Sequence, residues 1–480
     1  MASVSQSSWL ERVLFGVFAF LLVWAPLPLA SNRSWALGLL ASGLWLLLGV
    51  TILCLIWRGE SVLARLAPGR WPLLLLSLFA VLVFGQSLVL PLGVRALFVP
   101  GADTPGPVSV DAFNTQQYLL ATLVHLAGFA LTLLLARGER GVQVLAGVFV
   151  ASGVLQALIA ILLYASQAEY TFLFMHFEQG ARASGTFANW DHLAGYMEMC
   201  LSIGIGLMLA RMSSGSEREV TRRQKLVALL HFMMSRKMLL RLMLVIMVIA
   251  LVLTHSRMGN AAFFISLLLV SCIGMARNKR LRKSAFWLVL SLVVVDVVVV
   301  GQWIGLDRVM QRLQGTELTQ TQVVQLVPGA PREETLEERI RPARQSLAMV
   351  AERPWLGFGG ASFYTAFPRF KSLELPWYYD HTHNDYVELA ADTGLLGLGL
   401  LAGVVLLTIR RVVRLWGEQQ SRVNRGIAFG GAMAICCLLL HSAVDFNLQM
   451  PANGLTFVVM LGLIWVLVPR STAKNRRASA

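Results

Sequence analysis

The chain has 480 residues, 56% of them hydrophobic and only 14% charged, with a mean hydropathy of +0.65. That balance excludes an ordinary soluble domain, in which about a quarter of residues are charged. The net charge of +15 does not point to nucleic acid, because the basic residues are dispersed over short connections instead of gathered on one face.

Apolar runs of roughly 17–25 residues, each able to cross a hydrocarbon core of about 30 Å, recur along the whole chain. About twelve spans are predicted: Leu10–Ala30, Trp35–Trp57, Trp71–Leu92, Tyr118–Ala136, Val142–Ala165, Leu193–Ala210, Leu239–Thr254, Asn260–Ala276, Phe286–Leu306, Tyr386–Ile409, Ile427–Asp445 and Gly454–Val468. The first is expected to be a span and not a cleaved leader. Its charged flank holds only Glu11 and Arg12, and a second span follows at once. Of the 41 Lys and Arg residues, 28 fall on connections of one parity. Excess basic charge marks the cytoplasmic side, so both termini are expected inside, with anionic headgroups as the partner of that charge. The five cysteines all lie within predicted spans, where they serve as small packing residues.

On the inner side, Ser213–Lys237 mixes Arg222, Arg223 and Lys225 with Leu226, Leu229, Leu230, Phe232 and Met233, a pattern that predicts a helix lying on the membrane surface. On the outer side, the connection 307–385 is long enough for a structured element. Pro342 is expected to open a helix with Ala343, Leu347 and Val350 on one face, and Pro354 to end it. The glycine-rich stretch Trp355-Leu-Gly-Phe-Gly-Gly360 follows, suited to a lid or binding shelf.

Four polar motifs cluster at outer span ends: Arg182 to His192, Thr254 to Gly259, Asp380 to Glu388 and His441 to Asn447. Ionisable groups at membrane depth are costly and point to function. Arg257 alone also fits an interfacial anchor, since arginines snorkel at helix ends, and the same holds for Arg182. Two arginines in separate tight segments nevertheless suit a dianion, because guanidinium forks grip phosphate oxygens in pairs. A histidine is the usual proton acceptor near neutral pH. His383 stands beside the start of span ten and is expected to be held there, whereas His381, further into the loop, has less to fix it. Asp380, Asp385 and Glu388 are near enough in sequence for one of them to orient His383. His192 and His441 read as structural groups bonding across helices. His381-Thr-His383-Asn-Asp385 also has the outline of a metal-hydrolase motif, but Tyr386 stands where a further histidine belongs. No metal or other cofactor is therefore expected.

At these residues the chain resembles the O-antigen ligase-like family of bacterial inner-membrane glycan transferases, which includes O-antigen ligases and polysaccharide polymerases. The resemblance rests on Gly185-Thr-Phe-Ala-Asn189, His192-Leu-Ala-Gly195-Tyr196, Ser256-Arg257 and Pro354-Trp-Leu-Gly-Phe-Gly359. It also rests on His381-Thr-His383-Asn-Asp-Tyr386 running on to Thr393-Gly-Leu-Leu-Gly397, and on His441-Ser-Ala-Val-Asp445-Phe446. The resemblance implies an all-α, GT-C-like bundle of about twelve transmembrane helices with a large periplasmic loop, 307–385, between helices nine and ten. Residues 1–165 would hold the first five helices and 166–480 the ligase-like transmembrane domain. It further implies metal-independent, inverting transfer of a glycan from an undecaprenyl-diphosphate donor to a glycan or lipid acceptor hydroxyl. His383 would be the catalytic histidine, Arg182 and Arg257 would bind the diphosphate, and Arg339, His381, Asp385 and Glu388 would support them. Ala343 stands where the family often has an aromatic residue, and Met258 where it has a glycine. A polymerase of the same family is the alternative reading. A lipid-linked oligosaccharide flippase is a further one, disfavoured because the polar groups gather at one face and not at the midplane.

Overall fold

The computed structural model describes residues 9–172, 175–177, 182–211, 236–277, 336–372, 375, 378–417 and 420–469. The chain is mostly helical: α1 Trp9–Trp24, α2 Ser34–Trp57, α3 Arg70–Ser87, α4 Ala112–Leu135 and α5 Gly138–Ser166 precede α6 Trp190–Arg211. Then come α7 Arg236–Leu253, α8 Arg257–Arg277, α9 Leu336–Glu352, α10 Asp385–Leu415, α11 Arg422–His441 and α12 Pro451–Val466. Among the described residues, one antiparallel hairpin, β1 Tyr170–Phe172 with β2 Met175–Phe177, departs from an all-α fold. Among the described residues, eight helices are long and apolar enough to cross a membrane, which makes this a polytopic helical membrane protein.

The expected first span is cut short. Helix α1 ends at Trp24 because Pro26 and Pro28 follow, each lacking the N–H that a helix interior needs. Leu29, Ala30 and Ser31 then turn left-handed, with φ of 49°, 56° and 58°. The expected ninth span, Phe286–Leu306, and most of the predicted surface helix lie outside the described residues, as does the first part of the long connection.

Helix α6 is the axis of the bundle, buried from Asp191 to Ala210. Helix α11 packs along it through small residues spaced four apart, Ser202 and Gly206 against Gly426 and Gly430. A Cβ on Gly206 would lie 2.5 Å from the Gly426 carbonyl oxygen and 2.9 Å from Gly430 Cα. In lipid, where greasy side chains gain nothing by meeting, such close backbone approach is what holds two helices together. Helices α5, α7 and α8 complete the surroundings of α6 and α11, while α3, α4, α10 and α12 pack as a second group on the other side.

Helix α9 does not begin at Pro342. It already runs from Leu336, with Pro342 inside it, since Glu337 to Arg341 are strong helix formers. Its buried face is also one residue away from the expected one. Pro342, Ser346, Met349 and Arg353 face inward, whereas Leu347 is 54% exposed. Ser346 can be buried because its hydroxyl donates to the Pro342 carbonyl at 2.6 Å. Met349 joins Phe358, Phe363 and Phe367 in a small core of its own.

Helix α10 is kinked at Gly394 (φ 69°, ψ 179°), a backbone conformation close to glycine-only. The kink frees the carbonyls of Ala391 and Asp392, and the chain after α9 takes them up. Phe358 N–H donates to Ala391 at 2.9 Å and Gly359 N–H to Asp392 at 2.8 Å, while Leu395 N–H returns to Pro354 at 2.7 Å. Gln86 at the end of α3 donates to the Asp392 carbonyl at 2.9 Å and accepts from Gly360 N–H at 3.1 Å. The glycine-rich stretch is thus a splint on α10.

At the far end of the bundle, Glu11 lies 3.0 Å from Arg58 and 2.8 Å from Arg65. Glu60 pairs with Arg65 and lies 3.3 Å from Arg58 and 3.6 Å from Arg137. Arg65 also donates to the Leu134 carbonyl at 3.1 Å. These ties close the ends of α1, α2 and α4.

Candidate active site

Two turns lock together at the end of the bundle opposite that ion cluster. The first, His381–Asp385, leads into α10. Asn384 caps the helix, its side-chain oxygen accepting from Tyr386 and Val387 N–H at 3.0 Å each, the usual solution for orphan helix donors. Glu388, one turn in, reaches back to accept from Thr382 N–H at 2.8 Å and to hold His381 Nδ1 at 2.6 Å. The second turn, Ser442–Leu448, joins α11 to α12. Asp385 binds it from both sides. Its N–H donates to the Ser442 and Asp445 carbonyls at 2.9 and 3.2 Å. Its carboxylate accepts from the Ser442 hydroxyl at 2.6 Å and Leu448 N–H at 3.1 Å. Tyr386 adds a hydrogen bond to the Leu439 carbonyl at 2.6 Å.

His383 sits in this lock with a left-handed backbone, φ 54°. A non-glycine residue there is held against a cost of about 1–3 kcal/mol, a pattern that concentrates at functional sites. His381 is fixed as well, which corrects the expectation that little would hold it. Glu388, seven residues on but one helical turn past the cap, lies at hydrogen-bond distance. Burial lowers the proton affinity of His381, but Glu388, with Asp385 and Asp380, outweighs it, so the imidazole is held above its ordinary value.

Beneath these turns lies a buried polar cluster. His441, at the end of α11, places Nδ1 2.8 Å from Glu198 Oε1 of α6, and neither side chain is exposed. His441 therefore does bond across helices. Its Nε2 lies 3.7 Å from Asp445 Oδ2. Arg339 reaches in from α9, 2.9 Å from Asp191 Oδ2 and 3.7 Å from Asp445 Oδ2. Among the described residues, Asp191, His441 and Asp445 form the group with metal-like spacing, not the His381, His383 and Asp385 triplet. The guanidinium of Arg339 supplies the positive charge that these carboxylates face.

The two expected phosphate-binding arginines lie on neighbouring segments. Ala183 N–H donates to the Leu253 carbonyl at 3.0 Å, which brings the stretch after Arg182 against the end of α7. Arg182 lies over the Trp190 ring at 4.7 Å. Arg257 is the exposed first residue of α8. Ser256 caps that helix, accepting from Gly259 N–H at 3.1 Å, and hydrogen-bonds the Asp191 carboxylate. The N-terminal end of α8 and the adjacent guanidinium both favour an anion.

Four residues of the site had no role assigned from the sequence: Glu198, and Asp191, Asp445 and Phe446, which stand inside quoted motifs. Glu198 carried a usable signal, since it is a carboxylate deep inside an otherwise apolar helix. The others become visible only once α6 and the α11–α12 turn are brought together.

Residues 242–402 match the family model described as O-antigen ligase. No curated protein matches the chain. The matched stretch runs from α7 to the middle of α10 and contains Arg257, Arg339, His381, His383, Asp385 and Glu388; Arg182 and the α11–α12 turn lie outside it. Over residues 242–402 the chain is similar to the O-antigen ligase family.

Proposed function

We propose that this protein moves a glycan from an undecaprenyl-diphosphate carrier to an acceptor hydroxyl in surface-polysaccharide synthesis, as a ligase or polymerase according to the acceptor. The observation that carries the reading is the lock of the His381–Asp385 turn on the Ser442–Leu448 turn. It supports a preorganised base at the bundle end where Arg257 opens α8. His383 takes the proton of the acceptor hydroxyl, whose oxygen attacks the anomeric carbon. The bond to the carrier phosphate breaks, undecaprenyl diphosphate leaves, and the carbon is inverted. Arg182 and Arg257 meet the charge growing on the phosphate oxygens, a task that needs no metal. Arg339, His381, Asp385 and Glu388 hold the two turns and the loop helix in place.

A cavity of about 420 Å³ supports a long-chain lipid substrate. It lies between α3, α4, α10, α11 and α12, lined mainly by apolar side chains, with Asp385 and Ser442 among its polar lining. The same reading takes the bundle as GT-C-like with twelve spans in the bacterial inner membrane, both termini cytoplasmic and the site facing the periplasm. It takes residues 1–165 and 166–480 as its two parts.

The test is turnover of a polyprenyl-diphosphate-linked glycan by the purified protein in excess chelator. Arg257→Ala should abolish transfer and Arg257→Lys retain little, because an ammonium keeps charge but loses the paired grip. His383→Ala should bind donor yet lose about 10²–10⁴ in rate. Full turnover by either alanine variant, or activity restored to the chelated protein by one ion, overturns the corresponding assignment.

A further inference from the structure

Phe446 has no reactive atom, yet three imidazoles surround its ring. His381 stacks on it at 4.1 Å between centroids with 20° between planes. His383 meets it edge-on at 5.2 Å and 71°, and His192 of α6 at 4.7 Å and 76°. The two edge-on contacts have the separations and angles at which aromatic pairs attract, worth about 0.5–1.5 kcal/mol each beyond their area. The ring is itself held from both flanks. Phe446 N–H donates to Asp445 Oδ1 at 2.8 Å. Asn447, the next residue, is pressed against Gly195, where any Cβ would collide with its Oδ1. Asn447 Oδ1 also accepts from Asn453 at 3.2 Å, and Asn453 donates to the His192 carbonyl at 3.0 Å. A half-buried phenyl ring thus joins α6, the turn before α10 and the turn after α11.

We propose that Phe446 is a positioning residue for glycan transfer: its ring fixes the planes of His381 and His383 and aims His383 at the acceptor hydroxyl. This rests on the assignment of His383 as the base. His383 shares its turn with a histidine whose ring is already clamped by Glu388, and the two have one surface in common, the phenyl ring. Removing that surface leaves His381 tied to Glu388 and takes from His383 the ring that meets it edge-on. A displacement of about 1 Å at a reacting group can cost on the order of 10² in rate. Arg182 and Arg257, assigned to the donor's diphosphate, stand on the segment before α6 and at the start of α8, so donor binding is expected to persist. The titratable groups around the pair are Glu388 and Asp385 of α10, Asp380, His192 of α6, and Asp445 with Arg339 and His441 behind it.

The experiment compares full-length wild type, Phe446→Leu, Phe446→Tyr and His383→Ala in lipid nanodiscs with a polyprenyl-diphosphate-linked glycan. Phe446→Leu should lower kcat by about 10–10² with donor KM essentially unchanged, and shift the acidic limb of the kcat–pH profile. Phe446→Tyr keeps the ring and should recover most of the rate at wild-type pH dependence. If Phe446→Tyr is as slow as Phe446→Leu and both melt early, the ring serves only to fold the turn and the proposal is wrong. If His383→Ala is inactive while Phe446→Leu keeps wild-type kcat and pH profile, Phe446 positions nothing and the base assignment stands. If His383→Ala turns over normally, the base assignment falls and the proposal with it.

Discussion

The two ends of the bundle each carry an ion cluster, and they are built oppositely. At one end two glutamates, Glu11 and Glu60, meet three arginines, Arg58, Arg65 and Arg137. Cations are in excess, and Arg137 is 55% exposed. At the other end three carboxylates, Asp191, Glu198 and Asp445, meet one arginine and one histidine, almost all of them buried. A cation-rich cluster that meets water at its rim, where Arg137 stands, ties helix ends together, and its outer pairs screen easily. An acid-rich one sealed from water keeps its charge balance only through exact partners, and its donor and acceptor atoms keep their directions.

The largest effect should come from removing Arg339, the guanidinium that the described residues place in the buried cluster. Arg339→Ala leaves Asp191 and Asp445 buried without their cation and should destabilise the protein by about 3–5 kcal/mol, read as a fall in melting temperature in detergent together with lost transfer. A melting temperature equal to wild type would erase the distinction between the two ends. Next, Gly206→Val forces α6 and α11 apart beneath the same cluster and should cost about 1–3 kcal/mol by overpacking. Rescue by a second substitution that shortens a facing side chain is not expected, because the neighbours at Gly206 are backbone atoms. At the cation-rich end, Arg65→Ala should cost about 1.5 kcal/mol, the low end for hydrogen bonds to charged groups, with turnover unchanged. A loss of turnover there would mean that the two ends are coupled.

The smallest effect is a pH dependence. His381 holds its proton more tightly in the folded protein, chiefly because Glu388 overcomes the penalty of burial. That stabilisation is fully present below the ordinary histidine value, about 6.5, and is lost as pH rises through the raised folded value. Wild type should therefore lose its stability advantage over Glu388→Gln as pH rises above about 6.5, measured by thermal unfolding at several pH values. An advantage that instead grows with pH would show that His381 is not charged in the folded state.

Much of this was legible in the sequence, for definable reasons. Hydropathy alone locates helices such as Ser34–Trp57 and Trp190–Arg211 within a few residues, because crossing a bilayer demands length and apolarity of every span. The Pro26 and Pro28 break was on the page too, but a window that averages hydropathy passes over it. Helix α9 was misplaced because one proline was taken as a start signal, while the tie that fixes the helix, Arg339 to Asp191, spans 148 residues. The site shows the same division. His383 and Asp385 stand in a compact local motif. The Glu198–His441 pair joins residues 243 apart, and no local pattern announces such a partner. Phe446 was quoted within a motif and given no role, since an aromatic residue at a span end is ordinarily an interfacial anchor.

The break at Gly394 has a mechanical consequence. Below it, Leu395–Leu415 is about 30 Å of continuous helix, the thickness of a hydrocarbon core. Above it, Asp385–Thr393 is bolted to the splint of residues 354–360 and to the turn at 442–448. A thicker or thinner bilayer loads the lower rod with tilt, and the splint, bonded to Ala391 and Asp392 above Gly394 and to Leu395 below it, braces the junction before that load reaches His383. The turn that bears His383 is thereby tied to the rest of the bundle as well as to its own rod, and rates measured in short-chain and long-chain lipids should differ little.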